Sequence, residues 1–173
     1  ANSGRFDVVV NCTGLAARTL IGDTRVRPLR GQIMRVHAPH IKYFYFDEND
    51  PDNMTYIIPR ADLCVLGGTA QLDDFSTEVR ESEAVGIRAR CAALEPSLAT
   101  APLVTHWTGL RPFRDAVRLE MDTRVLTGGD RNESIRCPVI HNYGHGGSGV
   151  TIAWGCAADV VRMAESTGMS SKL

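Results

Sequence analysis

The chain has 173 residues, 43% hydrophobic and 23% charged, with a formal net charge of −1. That size suits one ordinary domain or two small ones, and so balanced a charge argues against a protein that grips nucleic acid through a basic excess. No apolar run approaches the roughly 18–20 residues of a membrane-crossing helix. The first expected element is a strand over 6–11, a β-branched run without helical period. It ends in Cys12-Thr13-Gly14, and 15–20 then takes helical spacing. Residues 26–36, with Pro28 and Gly31 followed by Ile33, Met34 and Val36, read as a second strand, and 41–46 as an aromatic one. An acidic loop over 47–53 precedes a hairpin formed by 55–59 and 63–69. Residues 78–95 predict the clearest amphipathic helix, with Ala84, Ile87, Cys91 and Leu94 on one face and Pro96 as its stop. Three strands follow at 104–108, 117–121 and 139–143, and a helix at 149–165. The middle is rich in strands and the two ends look α/β, so a β-rich module is expected between two pieces of an α/β one.

The five cysteines, Cys12, Cys64, Cys91, Cys137 and Cys156, lack paired spacing and sit among apolar neighbours. They read as buried small hydrophobes in a reducing compartment rather than as disulfides or zinc ligands. Ser171, Lys172 and Leu173 form the tripeptide SKL, an address read by the peroxisomal import receptor.

Three constellations carry chemistry. In the first, a strand ending at Tyr143 runs into Gly144-His145-Gly146-Gly147-Ser148-Gly149 and then into a helix. Glycines there let backbone N–H groups approach a ligand, and the helix start adds a positive dipole, which suits a phosphate, a carboxylate or the edge of an anionic flavin ring. His141 and His145 read as structural, with no metal site expected, because they fall on a strand end and a loop with no acidic third ligand near. In the second, Arg111 lies in Gly109-Leu110-Arg111-Pro112, where a planar fork on a rigid turn suits a substrate carboxylate; Arg114 and Arg118 read as surface arginines. In the third, Tyr56 stands at a strand start beside a polar loop, placed to offer its hydroxyl to a ligand or to pack half-buried.

The segments VVVNCTG (8–14), RGQIMRVHAP (30–39), TYIIP (55–59), LGGTAQL (66–72), LEPSL (94–98), GLRPFR (109–114) and HNYGHGGSG (141–149) resemble, in the same order, the D-amino-acid oxidase and D-aspartate oxidase family of FAD flavoproteins. The resemblance implies an α/β fold (α+β overall) in which part of a Rossmann-like FAD-binding module is interleaved with a β-rich substrate-binding module. The FAD module would comprise 1–27 and 112–169, the substrate module 28–111, and the targeting tail 170–173. It implies Arg111 and Tyr56 as catalytic and substrate-binding residues, with Gly147 and Ser148 also at the substrate. It implies cofactor contacts at Cys12, Thr13, Gly14, Gly31, Gln32, Gly146, Gly147, Ser148, Gly149, Val150 and Thr151. The implied reaction takes a D-amino acid and molecular oxygen to a 2-oxo acid, ammonia and hydrogen peroxide, with FAD as cofactor and the peroxisomal matrix as compartment.

Two positions bear on the substrate. Asp52 stands where neutral D-amino-acid oxidases place a tyrosine, and Ala70 where D-aspartate oxidases of mammals place an arginine after GGT, although GGT and LEPSL themselves resemble the D-aspartate branch. Acidic substrates, D-aspartate and D-glutamate, are therefore expected over neutral ones. No G-x-G-x-x-G follows an N-terminal strand here, as it does in the family's dinucleotide-binding unit, so the chain is expected to be the C-terminal half of such an oxidase, with strand edges for a missing half to cover. Two other readings are a truncated, non-catalytic paralogue that binds no FAD, and a relative of glycine or sarcosine oxidases.

Overall fold

The computed structural model describes residues 6–47, 49, 53–128 and 133–167, so Asp52 and the tripeptide of Ser171, Lys172 and Leu173 lie outside the described residues. The chain divides into two compact units, Ala1–Arg27 with Pro112–Leu173, and Pro28–Arg111.

In the first unit, β1 (Val9–Asn11) pairs in parallel with β8 (Glu133–His145), with Val9 opposite Val139 and Asn11 opposite His141. The long strand β7 (Leu103–Gly128) lies antiparallel on the other side of β8, with a register shift between Phe113 and Arg118. Three short strands were expected in this part of the sequence; two long ones form instead. Gly109 and Pro112 do not end β7, because the irregularity at 113–118 absorbs the break in alternation. The expected first helix is reduced to a 3-10 turn, Gly14–Ala16, and the single turn α1, Ala17–Leu20. The last helix, α3 (Gly149–Ser166), buries only Cys156 and leaves Val150 92% and Trp154 89% exposed.

In the second unit, β2 (Arg27–Val36), β5 (Cys64–Gly67), β4 (Thr55–Pro59) and β3 (Tyr45–Asp47) lie side by side and antiparallel, and the two-residue β6 (Gln71–Leu72) joins β2. Alternation sorts the side chains onto two faces. Met34, Val36, Ile57, Cys64 and Leu66 point to one face and form a core with Ile87, Cys91 and Leu98. Helix α2 (Glu81–Leu94) supplies Ile87 and Cys91, and it also buries Ala84. Leu94, expected on this buried face, is exposed, since the helix ends there and Pro96 turns the chain into a 3-10 turn, Pro96–Ala99. Glu81 and Glu83 sit in the first turn of α2, where the helix dipole favours carboxylates. The opposite face keeps Ile33, Arg35, Tyr56, Ile58, Val65 and Phe46, and all six are partly or fully exposed.

Four of the cysteines are buried as expected, but Cys12 is exposed. It lies past the last residue of β1, where the chain leaves the sheet.

Candidate functional site

The open face of the second unit holds Tyr56 and Arg111. Register carries one row straight across it: Ile33 opposite Gly67, Gly67 opposite Tyr56, Tyr56 opposite Phe46. Directly opposed residues share a face, so the Tyr56 ring lies over Gly67. A Cβ on Gly67 would overlap that ring, and one on Gly68 would stand 2.7 Å from the Tyr56 hydroxyl. Two residues before Ile33, a Cβ on Gly31 would overlap the Arg111 guanidinium, at 2.6 Å from Nη2. Three glycines thus form a floor on which a phenol and a guanidinium rest.

Arg111 is not on a turn, as the flanking Gly109 and Pro112 implied; it lies within β7. Its Nη1 donates to the Thr69 carbonyl at 3.4 Å, and its charge acts on the neighbouring Tyr56 hydroxyl. Burial pushes the Tyr56 phenol above its ordinary value, and the Arg111 charge opposes that rise. Among the described residues no carboxylate stands within ion-pair distance of Arg111. A partly buried guanidinium with free donors, beside a protonated phenol, is a receptor for a planar anion such as a carboxylate.

Thr69 and Gln32 form the layer below. The Thr69 hydroxyl accepts from the Gln32 backbone N–H at 2.9 Å. The Gln32 amide is spent on Arg30 and on both backbone groups of Arg80. The fully buried Arg30 reaches Gln71, Glu83 and the carbonyls of Ser76 and Glu78. The structure therefore seats Gly31 against Arg111 and Gln32 in a buried polar network. Sequence reasoning missed Gly67, Gly68 and Thr69, for which the only signal was the GGT triplet closing a strand.

In the first unit, the loops that leave β1 and β8 emerge at the same end of a parallel pair, the end at which α/β sheets bind ligands. This brings Cys12, Thr13 and Gly14 to the same edge as Gly146, Gly147, Ser148, Gly149, Val150 and Thr151. Gly14 and Gly146 hold φ of +58° and +56°, a left-handed backbone that favours glycine. Asn11 ties the edge together: its Oδ1 accepts from the Thr13 N–H and hydroxyl, and its Nδ2 donates to His141 Nδ1 at 3.1 Å. His141 is fully buried; burial, then the charges of Arg118 and Arg124, hold its pKa below the ordinary value. Ser148, the N-cap of α3, makes no side-chain cap bond. The N–H groups of the first helical turn therefore face outward at the helix's positive end. The donor set is the uncharged main chain at the start of α3 with the hydroxyl of Thr151, the Thr13 hydroxyl being spent on Asn11, and it fits phosphate oxygens or the electron-rich edge of a flavin.

Below this edge lies a cluster that composition hid. Asp23 accepts from the Tyr143 hydroxyl at 2.7 Å and pairs with Arg114 Nε at 3.2 Å and Arg118 Nη1 at 3.4 Å. Arg114 and Arg118 are nearly buried, not surface residues, because Asp23 draws both inward. Burial pushes the Asp23 carboxyl up, but the Tyr143 hydroxyl, the two arginine charges and the Arg25 N–H outweigh it and hold it below the ordinary value.

An α/β edge with glycine loops in one unit, and a glycine-floored arginine–tyrosine pair on an antiparallel sheet in the other, define the flavin-oxidase class of fold. The family model described as "FAD dependent oxidoreductase" matches residues 1–163, and the chain belongs to that family. It is 50% identical over 158 residues to a D-amino-acid oxidase of Rubrobacter xylanophilus and 49% identical to one of Streptomyces coelicolor. It is 40% identical to a D-aspartate oxidase of Homo sapiens. Each alignment covers 91% of this chain and 46%, 47% and 44% of the relative, so the chain spans a little under half the length of these proteins. Among solved structures, a glycine oxidase from Bacillus cereus shares the fold, with a TM-score of 0.73 at 21% identity, covering 95% of this chain and 44% of that one.

Proposed function

We propose that the chain is the substrate-holding and flavin-edge portion of an FAD-dependent oxidase that converts D-amino acids to 2-oxo acids, ammonia and hydrogen peroxide. The observation that carries this reading is Arg111, unpaired with any carboxylate among the described residues, seated against Gly31 with its charge acting on the Tyr56 phenol. Arg111 binds the α-carboxylate through parallel N–H bonds, and Tyr56, held protonated by burial, donates its hydroxyl to the same group. Two fixed donors orient the substrate, so that the Cα–H is presented in one direction and no acid–base dyad is required. Cys12, Thr13 and Gly14, with Gly146, Gly147, Ser148, Gly149, Val150 and Thr151, would line the FAD site, and the N–H groups of Gly149, Val150 and Thr151 at the start of α3 would be its donors, since those of Thr13, Gly146 and Ser148 are bonded within the protein. When bound, the flavin supplies the two-electron acceptor for the Cα hydride and hands the electrons to oxygen.

Around Tyr56 the open face is lined by Ile33, Ile58, Val65 and Phe46, with the exposed Arg35 further along β2 opposite Val65, and Ala70 adds no charge. This lining supports uncharged D-amino acids ahead of D-aspartate and D-glutamate, the reverse of the order that GGT and LEPSL implied. The tripeptide of Ser171, Lys172 and Leu173 supports recognition by the peroxisomal import receptor, and a fluorescent reporter ending in those residues that stays diffuse in cells removes that proposal.

A D-amino-acid panel with peroxide readout tests the function. Peroxide from D-alanine exceeding that from D-aspartate is expected; the opposite order overturns the side-chain preference, and peroxide from L-isomers alone overturns the reaction. Visible absorbance of the purified protein, after incubation with FAD and removal of the unbound flavin, tests the cofactor assignment, because a chain left colourless does not hold FAD.

A further inference from the structure

The Gly67–Gly68 segment that floors the Tyr56 ring has no side chain with which to hold itself in place, and glycine is the residue with most backbone freedom to lose. It is held by bonds from elsewhere. The Gly68 N–H donates to the Met54 carbonyl at 2.5 Å, Cys91 Sγ approaches the Gly67 carbonyl at 3.8 Å, and Arg90 Nη2 donates to the Gly68 carbonyl at 3.1 Å. Arg90 and Cys91 lie in the C-terminal half of α2, whose buried residues pack on the sheet face opposite Tyr56. We infer that Arg90 is a positioning residue for the Tyr56–Arg111 pair, acting from the far face of the sheet through the Gly68 carbonyl; this rests on the carboxylate reading above.

Three observations carry it. Among the described residues Arg90 has no carboxylate within ion-pair distance, and its Nε is buried without a partner. A half-buried guanidinium is thus spent on one carbonyl, and a bond from a charged donor fixes a peptide more firmly than a neutral one. Second, α2 carries a glycine in its interior, Gly86, where alanine would be the better helix former. A Cβ there would stand 3.2 Å from Arg90 Nη1, so the helix is thinned where the guanidinium lies. Third, Arg88 on the same helix does something else: its Nη1 holds the carbonyls of Leu98 and Ala101, at 2.9 Å each, and has no bond to the Gly67–Gly68 segment.

The test reads Tyr56 without relying on turnover. The full chain is labelled at tyrosine Cζ; it has four tyrosines, and Tyr56→Phe identifies the signal. Arg90→Met is expected to move the Tyr56 resonance toward its position in Arg111→Met and to weaken D-alanine binding by calorimetry about tenfold, the equivalent of about 1.4 kcal/mol. Arg90→Lys, which keeps a charged donor on a long side chain, is expected to restore both. Arg88→Met, which removes an equal charge and a helix-end anchor, is expected to lower the melting temperature while leaving the Tyr56 resonance in place. An unmoved Tyr56 signal in Arg90→Met overturns the positioning role, as does a Lys variant that behaves like Met or an Arg88→Met variant that shifts Tyr56 equally. The two failures separate: a wild-type chain that takes up no D-alanine, while Tyr56 responds to Arg90 as stated, overturns the carboxylate reading alone.

Discussion

Arg111 and Tyr56 owe their places to what their neighbours lack. At Gly31 a methyl group meets the end of a guanidinium, a long side chain that can swing aside. Gly31→Ala is therefore expected to fold with a melting temperature within a few degrees of wild type, yet to lose about 10- to 100-fold in D-alanine affinity, the cost of displacing one or two charge-assisted bonds. Calorimetry with D-alanine checks it. At Gly67 the obstacle is a ring lying flat on the backbone, which has no such freedom. Gly67→Ala should cost about 1–3 kcal/mol of stability in urea unfolding, the usual penalty for overpacking. A Gly67→Ala protein as stable as wild type would mean that the ring is not fixed there. Arg111 and Tyr56 were legible in the sequence because an arginine among apolar residues and a tyrosine in a β-run are chemically conspicuous. Gly67 and Gly68 were not, because their constraint comes from a tyrosine on the neighbouring strand and no local pattern records it.

The same contrast recurs among the elements. Strand alternation in β2, β4 and β5, and the spacing of Ala84, Ile87 and Cys91 in α2, could be read directly, since each follows from a period of two or of 3.6 residues. The extent of β7 and β8 could not, because a register shift at 113–118 and pairing with one another, rather than local propensity, carry them past glycine and proline. Arg114 and Arg118 looked solvated for a similar reason: their counter-ion, Asp23, lies 95 residues from Arg118 in sequence. Asp23 ties α1's exit loop to β7 and to Tyr143 of β8, one residue before the glycine loop. Asp23→Asn leaves two nearly buried guanidinium groups without their carboxylate and is expected to cost about 3–5 kcal/mol. Tyr143→Phe removes the bond to that carboxylate and the one its hydroxyl accepts from Arg118, about 1–3 kcal/mol. In a double-mutant cycle the two losses should fall well short of additive, since the tyrosine bond has no acceptor charge once Asp23 is gone. Strict additivity would show that the hydroxyl and the carboxylate do not act as one unit.

Across the whole molecule the shifted groups are distributed unequally, and this sets how each unit meets acid. In the first unit His141 is buried, with its folded-state pKa held low, while in the unfolded chain a histidine takes up a proton near pH 6.5. Between that value and its lower folded one, the unfolded state binds the extra proton, so stability falls as pH falls, by at most about 1.4 kcal/mol per unit. Asp23, with a depressed folded pKa, adds a loss only below about pH 4, as the pH drops through its folded value. In the second unit the buried network is closed by Glu83. Burial pushes its carboxyl up, but bonds from Arg30, Gln71 and Arg80 hold it below the ordinary carboxylate range. Its contribution is intact above about pH 4.3 and is lost only beneath it. Acidification from pH 7 to 5 should therefore loosen the first unit while leaving the second protected. Hydrogen exchange measured peptide by peptide reads the two units separately: exchange in β1 and β8 should quicken over that interval, and exchange in β2, β4 and β5 should hold steady. In His141→Gln, which has no imidazole to protonate, the β1 and β8 acceleration should disappear even if the variant is less stable throughout. If that acceleration persists without the imidazole, His141 is not its source.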